Sequence, residues 1–296
     1  MRKVLTILFA VALLASCAPS KDVTHHVSDA ETAVPTRRSG DLLIMSFNIR
    51  NSSGNGAHNW GNRRDKVAAM VLKELPDAMG MQEMLPDQLE YLDSALASDY
   101  DRIGIGRDDG KKEGESMCIY YRRSRLQLLR WETRWLSETP TEVSLGWDGA
   151  CRRTVTIARF RDRRDGKEFL YMNTHLDHVG PVARRESIKL LCDWADQLGK
   201  DIPVIIGGDM NSDLSDDIFR PLEQHRLLSA RDIAPVTDNE ITYNAYGKGK
   251  PSVIDHFFVR GWQHVKLFRT LNGDYGVPYI SDHYPIATII SLGGEQ

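Results

Sequence analysis

Cysteine is scarce in this chain: four residues in 296, Cys17, Cys118, Cys151 and Cys192. None are paired at the close spacing that a structural zinc site or a disulfide framework requires. Long apolar runs are missing as well. The most apolar stretch, Val4 to Leu14, is too short to cross a bilayer comfortably. Excess positive charge is absent: 38 Lys and Arg face 41 Asp and Glu. Without Arg2 and Lys3 the balance becomes 36 against 41, a formal charge of −5. A duplex-binding enzyme is usually basic. The local pairs Arg122-Arg123, Arg152-Arg153, Arg163-Arg164 and Arg184-Arg185 are mostly flanked by acids, as solvated faces are. Nucleic acid is therefore allowed as a partner but not favoured. No internal repeat is present.

The first residues follow a different plan. Met1-Arg2-Lys3 is a basic head, Val4 to Leu14 an apolar core, and Leu14-Ala15-Ser16-Cys17 a small-residue cleavage site. Residues 1–16 thus resemble a bacterial lipoprotein signal peptide, with Cys17 as the lipidated first residue of the mature protein. The expected location is the cell envelope, on a membrane held through Cys17. Residues 17–40 are rich in Ser, Thr, Asp, His and Pro and cannot bury enough surface to fold alone, so they are expected to form a flexible tether.

Residues 41–296 show no linker-like break and are expected to form one catalytic domain. Strands are predicted at Leu42 to Phe47, Ala78 to Met81, Ser116 to Tyr121, Thr154 to Phe160, Phe169 to Asn173, Pro203 to Ile206, Val253 to Val259 and Ile286 to Ile290, where β-branched and aromatic residues concentrate. Apolar stripes of helical period run through Asp65 to Leu75, Asp87 to Leu96 and Ala183 to Leu198. Many short strands with helices in the crossovers predict two packed sheets covered by helices.

Six of these strand ends carry Asn, Asp, Glu or His. Asn48, Glu83, Asn173 to His178, Asp209 with Asn211, Asp255, and Asp282 with His283 all fall just beyond or at the edge of an apolar run. Such a layout suits a hard cation bound by oxygen ligands, with two histidines available for proton transfer.

The segments Ser46-Phe47-Asn48-Ile49-Arg50, Gln82-Glu83, Asn173-Thr174-His175-Leu176-Asp177-His178, Gly208-Asp209-Met210-Asn211, Ile254-Asp255-His256 and Ser281-Asp282-His283-Tyr284-Pro285 resemble, in order, the motifs of the endonuclease/exonuclease/phosphatase superfamily. That group includes deoxyribonuclease I-like nucleases, apurinic endonucleases, inositol polyphosphate 5-phosphatases and neutral sphingomyelinases. The resemblance implies an α/β (α+β) fold, a four-layered αββα sandwich with the site at one rim of the paired sheets. It places Mg2+, with Mn2+ or Ca2+ as substitutes, at Glu83 and Asn48, with Asp282 as a further ligand or a partner of the ligands. His283 is the expected general base, oriented by Asp255; Asp209 orients the water or deprotonates it. Asn211 is expected to donate to a phosphoryl oxygen, and His175 to the phosphate or leaving oxygen. Asp177 and His178 shape their loop. Arg152 or Arg153, Trp60 and Trp147 are candidates for substrate contact. One departure is Arg50, where apurinic endonucleases carry an acid.

The expected activity is divalent-metal-dependent hydrolysis of phosphoesters outside the cytoplasm, on small-molecule, sugar, inositol or phospholipid head-group phosphates, by a monomer. The alternatives are a secreted nuclease on DNA or RNA and a non-catalytic ligand-binding lipoprotein of the same fold. The full set of candidate groups argues against the last.

Overall fold

The structure, a computed structural model, describes residues 37–54 and 56–292. The expected signal peptide, the expected lipidation site Cys17 and the expected tether up to residue 36 lie outside the described residues. Arg37, expected within the tether, is already fastened to the domain: its guanidinium pairs with buried Asp77 and donates to the Leu75 carbonyl.

In chain order the elements are β1 (Asp41–Asn48), α1 (Trp60–Glu74), β2 (Ala78–Met84), α2 (Pro86–Ala95), β3 (Tyr100–Ile103), β4 (Ser116–Arg122), β5 (Leu126–Trp135), β6 (Thr154–Asp162), β7 (Glu168–His175) and α3 (Pro181–Leu198). Then come β8 (Val204–Asp209), α4 (Arg220–Gln224), β9 (Leu228–Ser229), α5 (Ala230–Ile233), β10 (Asp255–Arg260), β11 (His264–Thr270) and β12 (Ile286–Ser291). They build two six-stranded sheets, ordered β11-β12-β1-β2-β4-β3 and β5-β6-β7-β8-β10-β9. Each sheet holds one parallel pair, β1 with β2 across α1 and β7 with β8 across α3; the other pairings are antiparallel.

Alternation along the strands sorts side chains into three apolar layers. On β1, Leu42 and Ile44 face the second sheet with Phe160, Phe169 and Tyr171. Leu43, Met45 and Phe47 face Val67, Met70 and Val71 of α1. On the far side Leu170 and Met172 of β7 meet Ile188, Leu191 and Ala195 of α3. All eight residues of β1 are therefore buried, which is why its sequence is nearly continuous in apolar residues. The order helix, sheet, sheet, helix is the expected sandwich.

Several elements differ from expectation. Helix α1 starts at Trp60, not Asp65, because Asn59 caps it by accepting from the Asn62 N–H at 3.1 Å. Helix α3 begins two residues early, at Pro181, a residue suited to the first helical turn. Strand β5, which runs through Trp131 to Trp135, was not among the predicted strands. Strands β3, β9 and β11 had no clear signal.

Polar pins join the two sheets near the site. The Tyr171 hydroxyl donates to the Met45 carbonyl at 2.8 Å and accepts from the Gly80 N–H at 2.9 Å. Asn173 donates to the carbonyls of Met81 and Cys118 and accepts from Gln82. Gly80 has to be glycine, since a Cβ there would lie 2.5 Å from the Asn173 side chain. Gly208 has a φ of 153° with the Thr174 carbonyl 1.9 Å from where a Cβ would stand, so β7 and β8 close up just before Asp209.

Candidate active site

Topology gathers the motif residues. Asn48, Glu83, His175 and Asp209 stand at or near the C-terminal ends of the parallel strands β1, β2, β7 and β8. Strand β10 runs antiparallel to β8, so its first residue, Asp255, pairs with Asp209; Asp209 also pairs with His175. Asp282 and His283 lie on the lead-in to β12, tied to β1 by the Ser281 hydroxyl, which donates to the Asn48 carbonyl at 2.7 Å.

At the floor of a cavity of about 540 Å3, His283 is held between two carboxylates. Its Nδ1 is 2.9 Å from Asp255 Oδ2 and its Nε2 is 3.6 Å from Asp209 Oδ2. Burial works against charging the ring, but Asp255 and Asp209 outweigh it and raise the imidazole to about 10. Asp209 is itself pushed up, to about 7, by burial and the nearby Asp255. Its oxygens accept from Asn48 Nδ2 at 2.9 Å and the Asn211 N–H at 2.9 Å. His175 Nε2 lies 3.4 Å from Asp209. Burial, then Arg153 and Arg107, hold His175 neutral, well below the usual histidine range.

Beside them stand Glu83, joined to Asp209 through Asn48 Nδ2, which donates to Glu83 at 3.1 Å and to Asp209 at 2.9 Å, and Asp282, the residue before His283. Burial pushes Glu83 up, yet the Asn51 N–H, Arg50 and the Asn48 amide hold its carboxylate below the usual range. Asp282 is raised by burial and by the like charge of Glu83. Arg50 lies between them, Nη1 3.6 Å from Glu83 and Nε 3.7 Å from Asp282. Two convergent carboxylates that already draw in a cation are a donor set for a hard divalent ion; Asn48 presents its NH2 to Glu83 and Asp209 and its Oδ1 to the Arg50 N–H, so it would join them as a ligand by turning its amide over. Arg50, Glu83 and Asn211 all have left-handed backbones, with φ of 59°, 63° and 49°. Non-glycine residues rarely adopt this conformation, and it clusters at functional sites.

A second wall is formed by Arg107, Glu115, Cys151, Arg153 and His178. Cys151, Asp177 and His178 lie close enough together to suggest a metal trio, but Asp177 has no capacity left. It accepts from the backbone N–H groups of Ala150, Cys151, Val179 and Gly180 and from Arg153. Those bonds hold its carboxyl well below the usual carboxylate range, against the opposing effect of burial. Arg153 also contacts His178 Nδ1 at 2.9 Å; a guanidinium only donates, so the ring proton sits on Nε2. His256, next to Asp255 in sequence, is structural: its Nε2 meets the Ser212 carbonyl and it packs on Phe219 and Phe258.

The expected substrate contacts need correction. Arg153, 6 % exposed, lines the cavity, whereas Arg152 points to solvent and pairs with Asp108. Trp60 is 7 % exposed and packs edge-on to Tyr91 in the core, since the cap at Asn59 turns the chain into a helix there. Trp147 is half-buried and does not line the cavity. Asn211 lines it, with its amide donating to the Leu176 carbonyl at 2.9 Å. Sequence reasoning missed Arg107, Glu115 and Tyr243, the last with its ring 4.9 Å from His283.

A two-sheet sandwich with Asp, Glu, Asn and His converging on one rim defines a phosphoester hydrolase of the deoxyribonuclease I-like class. Residues 45–283 match the Endonuclease/Exonuclease/phosphatase family, and the chain belongs to it. It is similar to an endonuclease/exonuclease/phosphatase from Bacteroides vulgatus, 32 % identical with a TM-score of 0.81, over 86 % of this chain and 99 % of that one. It is also similar to a mannosyl-6-phosphatase from Bacteroides thetaiotaomicron, 34 % identical with a TM-score of 0.77, over 83 % and 98 % of the two chains. The human Nocturnin catalytic domain, at 16 % identity and a TM-score of 0.69 over 86 % of this chain and 94 % of that one, shares the fold. Members of the family are in general metal-dependent, and this chain is a hydrolase of phosphoester bonds.

Proposed function

We propose that this protein is a Mg2+-dependent phosphatase or phosphodiesterase for small phosphorylated molecules, sugar phosphates foremost, working on the cell envelope as a monomer anchored through Cys17. The observation that carries the reading is His283 fixed between Asp255 and Asp209, with Glu83 and Asp282 lining the same cavity. The relative named as a mannosyl-6-phosphatase supports a sugar phosphate. So does a mixed acidic and basic cavity in a chain with net negative charge, which offers little to a polynucleotide backbone.

Glu83 and Asp282 would hold the ion, joined by the Asn48 amide oxygen once that amide is turned over, and the ion would neutralise charge on the phosphoryl oxygens. Asp209 orients the attacking water, His283 takes its proton, and Asp255 fixes the ring and stabilises the imidazolium. Neutral His175 and the free amide hydrogen of Asn211 donate to phosphoryl oxygens as charge builds there. Arg153 and His178 line the wall that receives the alcohol portion of the substrate.

The test is turnover by the full chain, with Mg2+ or with chelator. The panel is hexose 6-phosphates, inositol phosphates, sphingomyelin, an aryl phosphodiester and plasmid DNA. Metal-dependent release of phosphate from a sugar phosphate, lost in His283→Ala by about a hundredfold or more, is the expected result. Plasmid cleavage that falls steeply with salt, without sugar phosphate turnover, would overturn it in favour of a nuclease.

A further inference from the structure

Two arginine doublets of the sequence, Arg122-Arg123 and Arg163-Arg164, have no part in the scheme above, and the fold brings them together at the pole opposite the cavity. Strand β1 runs from Asp41 at that pole to Asn48 at the cavity, about 23 Å at about 3.3 Å per residue. Strand β4 ends at the same pole with Arg122, β5 starts there at Leu126 and β6 ends there at Asp162. The Arg163 N–H donates to the Arg125 carbonyl at 2.9 Å and its Nε to the Arg123 carbonyl at 3.0 Å, which joins the two loops into one surface. Arg125 ties that surface to the incoming chain, with Nη1 on the Ser39 carbonyl at 3.0 Å and Nη2 on Asp162 at 2.6 Å. Arg37 belongs to the same group: burial and the like charges of Arg122, Arg125 and Arg164 push its guanidinium down to about 10.

The acids of this pole do not cancel the charge. Asp77 and Asp162 are buried and already engaged, Asp77 by Arg37 and Arg122 and Asp162 by Arg125. Asp101 pairs with Arg123, and Asp165 with Lys167. Arg163 and Arg164 are exposed and meet no carboxylate among the described residues. Along the second sheet the pole continues to the loop after α3 and the end of β10, where Lys200, Arg226 and Arg260 line a cavity of about 470 Å3 whose one acidic lining residue is Asp201. Arg260 is bound to Asp196, whereas Lys200 and Arg226 are exposed and have no carboxylate partner among the described residues. Unpaired cations therefore collect at one end of a chain whose formal net charge is −3.

The chain enters the domain at Arg37, within this basic surface, and the expected lipid on Cys17 lies twenty residues earlier. Twenty residues span at most about 70 Å, so an anchored domain has this pole within reach of its bilayer. A bilayer containing anionic lipid attracts Lys and Arg held near its surface. A polynucleotide bound here would lie at the wrong end of the strands to meet His283.

We propose that this pole is a docking surface for an anionic phospholipid bilayer, which turns the His283 cavity away from the membrane and towards soluble phosphoesters. The inference rests on the envelope location proposed above. The test is co-sedimentation of the mature chain, residues 17–296, made without the expected signal so that Cys17 carries no lipid. The probes are vesicles of phosphatidylcholine alone and vesicles of phosphatidylcholine with an equal part of phosphatidylglycerol, at low and high salt. Binding should appear only with phosphatidylglycerol and fade as salt screens it. Each Lys or Arg near such a surface strengthens binding by about fivefold, so Arg163→Gln with Arg164→Gln should weaken it by about 25-fold, with sugar phosphate turnover in solution unchanged. Arg64→Gln with Arg185→Gln, the same loss of charge on α1 and α3, should leave vesicle binding as it is. No binding to the mixed vesicles, or equal weakening by both double variants, would overturn the inference. Binding of a duplex DNA fragment through Arg163 and Arg164 without binding of vesicles would also overturn it, in favour of a polynucleotide partner. Because this chain carries no lipid, such a failure leaves the hydrolase reading and the Cys17 anchor standing; the anchor is decided separately by the mass of the N-terminal peptide of the exported protein.

Discussion

Replacing Asp255 by Asn removes the carboxylate 2.9 Å from His283 Nδ1 while keeping the side-chain shape. Both residues are buried, so solvent screens little of what is lost. Opposite charges about 4 Å apart at an effective dielectric of about 20 interact by roughly 4 kcal/mol, equivalent to about a thousandfold in proton affinity. The sign follows from the raised groups: His283 at about 10 and Asp209 at about 7 both hold protons in acid. A base must be deprotonated, so kcat/KM of the wild type should rise with pH. The two groups are coupled, and the rising limb, falling between about 7 and about 10, belongs to the pair. In Asp255→Asn the limb should move to lower pH, by as much as about 3 pH units, because the imidazolium has lost its stronger partner. The plateau should fall by about 100- to 10,000-fold, since an amide neither fixes the tautomer as firmly nor stabilises the charged ring. The assay is kcat/KM from about pH 5 to about pH 10 at saturating metal. A limb that stays in place would show that His283 does not govern it. A shifted limb with an undiminished plateau would refute its role as proton acceptor.

Glu83→Gln should raise the metal concentration for half-maximal turnover by about 10-fold or more; an unchanged requirement would put the ion elsewhere. Tyr171→Phe strands the Gly80 N–H and the Met45 carbonyl between the sheets, and urea unfolding should show a loss of about 2–5 kcal/mol with an unchanged m-value. A loss below about 0.5 kcal/mol would show that the hydroxyl is not a pin. Asp177→Ala removes the acceptor shared by four backbone N–H groups and Arg153, and should destabilise by about 3 kcal/mol or more at neutral pH. Because the Asp177 pKa is depressed in the fold, its contribution is complete above the unfolded value of about 4 and declines in acid. The wild-type advantage should therefore shrink as pH falls below about 4, and a gap constant with pH would refute the charged-acceptor account.

What was legible in the sequence were features with a local signature. Residues at the ends of buried strands were readable because the apolar run stops where the chain reaches the rim, and Asn48, Glu83, His175, Asp209 and Asp255 stand at or beside such a stop. The parallel pairs behind them were implied by amphipathic crossovers such as α3. Strand β5 was half hidden: it is the edge of its sheet, and Arg130, Glu132 and Arg134 give it the charged look of a loop, the usual protection for an exposed edge. Trp60 misled because Gly54, Gly56 and Asn59 signal a loop, while Asn59 is the cap that turns the next residue inward.

The remaining misses share a cause. Arg107 and Glu115 pair at 2.6 Å across the β3–β4 connection, and Tyr243 reaches His283 through an isolated bridge. None is near a motif in sequence, and their place at the cavity follows from how loops of both sheets close over one rim. Arg50 is the instructive intermediate case. Its position in the first motif was plain, and its difference from an acid was noted, but its placement depends on Arg63 and Gln88, which donate to its carbonyl from two different helices. A residue held in a strained backbone by buried groups from two other elements is a product of the whole fold, and only the assembled structure shows that its charge stands where two carboxylates converge.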